Sequence, residues 1–156
     1  MLNVAKITYP HIEFIESDLT KEDTIIDQKF NLITTFRFYR NAEHTLRDEA
    51  FKIIISHLSK DGFLIFNNHD SSDGIIQRLR KLMGYKIVGQ TRKDCRKFAH
   101  YHGLKIIQEY HVGIMPFSDT RIIKPIFLAK FLELILRNIP GFSFLAQNTI
   151  FVCKRI

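Results

Sequence analysis

The sequence predicts an α/β domain with a sheet crossed by connecting helices and closed at its C-terminal end by an antiparallel hairpin. Three observations carry this. Phe63-Leu64-Ile65-Phe66 is apolar on both faces, as in a strand lying inside a covered sheet. Runs with helical periodicity alternate with β-branched and aromatic runs along the chain. The last apolar, β-branched run, Thr149 to Cys153, follows a helical stretch and a strand-like segment, Leu104 to Val112.

In chain order, Leu2 to Thr8 reads as the end of a helix stopped by Pro10. Residues 11–16, His-Ile-Glu-Phe-Ile-Glu, alternate polar and apolar with the period of a half-buried strand. Residues 20–28 are polar and predict a turn with a short helix. Phe30 to Phe36 predicts a second strand. Glu43 to Lys60 is the clearest helix, with Leu46, Ala50, Ile53, Ile54, His57 and Leu58 as its buried stripe. Lys60-Asp61-Gly62 predicts the turn that ends it, before the apolar strand. Ile75 to Met83 predicts a helix with Ile76, Leu79 and Met83 on one face, stopped by Gly84. Lys93 to Tyr101 and Arg121 to Asn138 predict two more helices, the second interrupted by Pro125.

With 156 residues, 46% of them hydrophobic and 25% charged, the chain is long enough for one domain with a real core. Seven glycines and four prolines leave no room for long low-complexity linkers. The net charge of +7 points to an anionic partner, such as nucleic acid, a phosphorylated metabolite or an acidic surface. From Gln77 to Lys105 nine Lys or Arg residues face a single acid, Asp94. A solvated helical surface and a contact for RNA or phosphate both account for that stretch.

Cys95 and Cys153 have neither metal-ligand spacing nor a disulfide framework around them, so a reduced, cytoplasmic setting is expected. His100, His102 and His111 have no nearby acid cluster and do not predict a metal site. The N-terminus lacks the order of a signal peptide. The most apolar stretch, Ile122 to Leu136, is interrupted by Lys124, Pro125, Lys130 and Glu133 and falls short of the ~20 residues of a membrane span.

Three stretches together resemble the second half of a class I S-adenosylmethionine-dependent methyltransferase. Residues 11–20, ending in Asp18-Leu19-Thr20, resemble that family's third strand and the acidic residue after it. Phe30-Asn31-Leu32-Ile33-Thr34-Thr35-Phe36-Arg37-Phe38 resembles the fourth strand, with Asn31 where the family usually has Asp. Leu58-Ser59-Lys60-Asp61-Gly62-Phe63-Leu64-Ile65 resembles the fifth-strand signature. The resemblance covers most of residues 1–115 and, more loosely, the last strand. It implies a Rossmann-like sheet whose full order is 3-2-1-4-5-7-6, and methyl transfer from S-adenosylmethionine to an acceptor that the sequence does not identify. The family's Gly-x-Gly-x-Gly loop and the ribose-binding acid of its second strand have no counterpart in these 156 residues. The sequence therefore reads as a partial domain that starts about one βαβ unit late, and weak or absent cofactor binding is expected.

The resemblance implies cofactor contacts at Asp18 and Leu19, near the adenine, and at Thr35, Phe36 and Arg37, at the carboxyl end of the fourth strand. Asp18 reads equally well as a helix cap, and Phe36 as ordinary sheet packing. His69, after the fifth strand, is a candidate general base, since a histidine changes charge near neutral pH. Without its first two strands the sheet would leave Leu32 to Phe36 as an edge. Either residues 11–16 pair there, or the edge invites self-association. Beside the methyltransferase reading stands a non-catalytic fragment or interaction domain whose basic face contacts nucleic acid or another anionic partner.

Overall fold

A computed structural model describes residues 2–18, 28–87, 89–113, 126–139 and 141–156. It is built from helix α1 (Leu2–Thr8), strand β1 (Phe30–Thr35), helices α2 (Phe38–Asn41) and α3 (His44–Ser56), and strand β2 (Leu58–Asn68). Helices α4 (Ile75–Leu82) and α5 (Arg92–Tyr101), strand β3 (Leu104–Val112), helix α6 (Ile126–Asn138), a 3-10 turn (Phe142–Leu145) and strand β4 (Asn148–Arg155) follow.

The four strands form one mixed sheet in the order β1-β2-β4-β3. β1 and β2 are parallel, with Leu32 opposite Phe63 and Thr35 opposite Phe66. β4 runs antiparallel to both its neighbours, β2 and β3. The expected closing pair is present, but α6 is inserted between its strands, so it is no tight hairpin. This is the arrangement expected of family strands 4, 5, 7 and 6.

One face of the sheet carries the core. Leu64, Phe66, Phe151 and Cys153 are fully buried there against Tyr39, Phe51, Ala99 and the partly buried Phe98. The aromatic rings meet edge to face or stacked, 4.8 Å apart for Phe51 and Phe98 and 5.0 Å for Phe66 and Phe151. Such pairs add roughly 0.5–1.5 kcal/mol each beyond the area they bury.

Several elements differ from expectation, each for a physical reason. Residues 11–16 form no strand: His11 and Ile12 continue the turn after α1 and residues 13–16 are irregular, because an alternating pattern makes a strand only where a neighbour accepts its hydrogen bonds. β1 is therefore an edge among the described residues. The predicted turn and helix over residues 20–28 lie almost wholly outside the described residues. α3 stops at Ser56, and Leu58, Ser59 and Lys60 already belong to β2. The predicted Asp61-Gly62 turn is absorbed as an irregularity within β2, whose register against β1 slips between Phe30 and Leu32. A Cβ on Gly62 would lie 2.8 Å from Leu58 Cδ1 and 2.9 Å from the Phe30 carbonyl, so the close approach needs glycine. The buried stripe of α3 is also rotated: Arg47, Ala50, Phe51 and Ile54 face inward, while Leu46 is exposed. Leu79 on α4 and Met83 at its C-cap are exposed. Among the described residues, no helix is long and apolar enough to cross a membrane.

Candidate functional site

Open α/β sheets bind ligands at the carboxyl ends of their parallel strands. In this fold that is where β1 ends at Thr35 and β2 at Asn68. Thr35 Oγ1 is buried there without a hydrogen-bond partner among the described residues. Phe36 is 53% exposed. Arg37 adopts a left-handed backbone with φ 64°, and its N–H donates to Asn67 Oδ1 at 2.7 Å. That bond clips the ends of the two parallel strands together.

The turn after β2 is a polar network. Asn68, fully buried, donates from Nδ2 to Ser71 Oγ (3.1 Å) and to the Gln90 carbonyl (3.0 Å). Its Oδ1 has no partner among the described residues. The N–H of Ser71 donates to the Gln147 carbonyl. Asp73 accepts from Ser71 Oγ and from Arg92 Nε, the latter at 3.1 Å. Burial alone would raise the Asp73 pKa, but these hydrogen bonds outweigh it and hold the carboxyl below its ordinary value.

His69 follows Asn68, and its Nδ1 is buried without a partner among the described residues. Burial, then the Arg40 and Arg37 charges, push its pKa below the ordinary histidine value. Asp70 is the hub of this corner. Its backbone is left-handed, with φ 56°. Its carboxylate accepts from Arg40 at 2.8 Å and from Gln77 Nε2 at 3.0 Å, while its N–H donates to Asn148 Oδ1 at 3.0 Å. The turn after β2 and the start of α4 are thereby tied to two segments distant in sequence, α2 and β4. Arg40 and Gln77 also line a surface cleft of about 520 Å³ with Arg80, Tyr85 and Lys86.

Thr35, Phe36, Arg37 and His69 are thus brought to one end of the sheet. Asp18 is not at the end of any sheet strand; it lies in the irregular segment after α1 and is exposed. Leu19 lies outside the described residues. Periodicity gave no sign of the Asn68-Ser71-Asp73-Arg92 network or of the Asp70 hub. The signal present was the polar run Asn67-Asn68-His69-Asp70 directly after an apolar strand.

The histidines 102 and 111 have separate partners, Asp48 at 2.9 Å and Thr149 Oγ1 at 3.2 Å. Among the described residues no group of three or more His, Cys, Asp or Glu is placed to hold a metal ion. Both cysteines are free and buried, and burial pushes each thiol up to about 12.

No protein-family model and no curated protein matches the sequence. Solved structures do match its fold. One is a S-adenosylmethionine-dependent methyltransferase from Thermotoga maritima, described as a possible histamine N-methyltransferase, with a TM-score of 0.65 at 12% identity over 99% of this chain and 69% of that one. The N-methyltransferase NodS of Bradyrhizobium japonicum WM9, solved with S-adenosyl-L-homocysteine, matches with a TM-score of 0.55 at 10% identity, over 99% of this chain and 61% of that one. The magnesium protoporphyrin IX methyltransferase of Synechocystis PCC 6803, also solved with SAH, matches with a TM-score of 0.53 at 14% identity, over 99% of this chain and 57% of that one. The chain therefore spans about three-fifths to two-thirds of the length of these structures. What it shares with them is part of the class I S-adenosylmethionine-dependent methyltransferase fold.

Proposed function

We propose that the chain forms the carboxyl-terminal part of the catalytic domain of a S-adenosylmethionine-dependent methyltransferase, transferring a methyl group to an unidentified acceptor. The observation that supports this best is the sheet order β1-β2-β4-β3 with β4 reversed, matched by methyltransferases of known structure. S-adenosylmethionine, when bound, supplies an electrophilic methyl group on a sulfonium. Thr35, Phe36, Arg37, Asp18 and Leu19 are the residues of this chain assigned to hold it. The unpartnered Thr35 Oγ1 fits a polar ligand at that strand end. His69, held uncharged by its surroundings, is the group available to take a proton from the acceptor. Chemistry of this kind depends mainly on positioning, and the clipped strand ends provide a rigid platform for it.

With no Gly-x-Gly-x-Gly sequence in the chain, binding is expected to be weak, near millimolar or about −4 kcal/mol. A titration with S-adenosylhomocysteine, followed by NMR and calorimetry, tests this. Shifts at Thr35, Phe36 and Arg37 are expected, and Asp18→Ala should weaken binding without lowering the melting temperature. Absence of any shift at those three residues would overturn their assignment. A low-micromolar constant, about −8 kcal/mol, would overturn the incomplete site.

A second reading, an interaction domain with a basic face, is favoured by one observation. Arg80, Lys81, Lys86, Lys93, Lys97 and Lys105 are exposed and make no ion pair among the described residues, while Asp94 is taken up by the cap of α5. Nucleic-acid affinity falling steeply with salt would support it. Self-association through the open edge of β1, at Leu32 to Phe36, belongs with either reading.

A further inference from the structure

A second cleft, of about 390 Å³, is lined by residues of α2, α3 and α5 and by Gln90 in the loop before α5. Its walls include the rings of Tyr39, Phe98 and Tyr101, and the exposed side chains of His44 and Lys97 also line it. Arg47 lines the same cleft although it is only 5% exposed. The rotation of α3 that leaves Leu46 outside turns this arginine inward.

Among the described residues, the surroundings of Arg47 leave its charge without a counter-ion. Its guanidinium carbon lies 4.6 Å above the centre of the Tyr39 ring, and one Nη donates to the Ala42 carbonyl at 2.8 Å. Its Nε is buried with no partner, and no carboxylate pairs with it among the described residues. The two acids that line the cleft are otherwise engaged. Asp48 accepts from His102 at 2.9 Å and lies 3.8 Å from Lys52. Asp94 closes the capping box of α5 with Thr91.

Guanidinium stays protonated when buried, so it cannot relieve the cost of burial by losing its proton, as lysine can. Buried charges are ordinarily paired, and leaving one unpaired costs several kcal/mol in general. An oxyanion presented to its planar fork removes that cost with charge-assisted hydrogen bonds. The aromatic walls add a preference for a flat apolar body next to that oxyanion. The volume falls within the small-molecule range of roughly 300–1,000 Å³. The loop carrying Gln90 on the rim is fixed in advance, because its carbonyl accepts from Asn68, Ser71 and the Ser72 N–H.

We propose that this cleft binds a small aromatic molecule bearing a carboxylate or phosphate, with the oxyanion on Arg47 and the ring against Phe98 and Tyr101. This binding needs no S-adenosylmethionine and stands apart from methyl transfer.

The test is a titration of the ¹⁵N-labelled full chain with benzoate and with phenyl phosphate, without cofactor, following the Arg47 Nε–H signal. Saturable shifts at about 1 mM or tighter are expected for at least one of them. The tighter of the two names the oxyanion. The neutral isostere benzamide should bind at least tenfold more weakly. Equal binding of benzamide, or no saturable shift from either anion, would overturn the proposal. Arg47→Lys should weaken the tighter anion at least tenfold, and unchanged affinity in a folded Arg47→Lys would overturn it. Should that buried substitution unfold the chain, the exposed Lys97→Glu decides. A several-fold loss of affinity there supports the site, and unchanged affinity overturns it.

Discussion

The two faces of the sheet are made by the same strands and have different fates. On one, Leu64, Phe66, Phe151 and Cys153 are fully buried beneath α3 and α5. On the other, Leu32 is 55% and Phe63 41% exposed, and Ile65 and Val152 are only half buried. Yet Phe63-Leu64-Ile65-Phe66 is equally apolar on both. An alternating strand needs one layer of helices; a run apolar on both faces is suited to two. The buried core cluster, with its helical residues from α2, α3 and α5, lies on the first face alone. The second face is built for a cover, and the open edge of β1 borders it.

That contrast is sharpest in a pair of substitutions. Phe66→Ala, in the ring cluster, should cost about 3–5 kcal/mol in denaturant unfolding. Phe63→Ala, one pleat away on the open face, should cost less than about 1 kcal/mol. Equal losses would mean that the second face is covered in solution. The next test asks by what. Leu32 lies on both the open face and the edge strand, so Leu32→Lys should leave the fold intact and reduce any self-association seen by light scattering. If the unmodified chain is strictly monomeric, the edge is not an interface between copies.

The smallest effect concerns pH. His69 and His111 are both held below the ordinary value of 6.5, first by burial and then by neighbouring arginines. The unfolded chain therefore takes up protons at higher pH than the folded one. Stability should be greatest above pH 6.5 and fall as pH is lowered through 6.5 toward the folded values. The carboxyls of Asp73 and Asp94 are depressed as well, so their contribution is lost only at and below about 3.8, outside that window. Histidine ring titrations by NMR and unfolding at pH 7.5 and 5.5 check this, and His69→Gln should flatten the slope.

What the sequence revealed depended on whether a residue's surroundings were local. α1 and β3 have the limits read from periodicity and Pro10, and α5 begins one residue earlier than read. The periodicity carries α3 four residues past its C-terminal end at Ser56, because Leu58 continues its apolar spacing although it belongs to the next strand. Residues 11–16 carry a strand's pattern without the neighbour that would make them one. Placement and burial divide in the same way. That Thr35, Phe36, Arg37 and His69 follow or end strands is legible in the sequence, because strand ends are. The burial of Arg47 is not, because a charged residue at a helical position reads as solvated until the helix's rotation is known. Nor could spacing give the Asp70 hub, two of whose partners, Arg40 and Asn148, are 30 and 78 residues away.

The place of β4 bears on how the molecule is assembled. It is the last strand in sequence, yet it lies between β2 and β3, which pair with each other nowhere. Until β4 arrives, the earlier strands form a two-stranded ribbon and a separate single strand, neither of which is stable by itself in water. Closing the sheet brings Phe151 back to Phe66 across most of the second half of the chain. Joining contacts so remote slows folding. Nearly every cooperative gain is therefore deferred to one late event, and a chain interrupted before that strand has a core of aromatic rings with no floor to stand on.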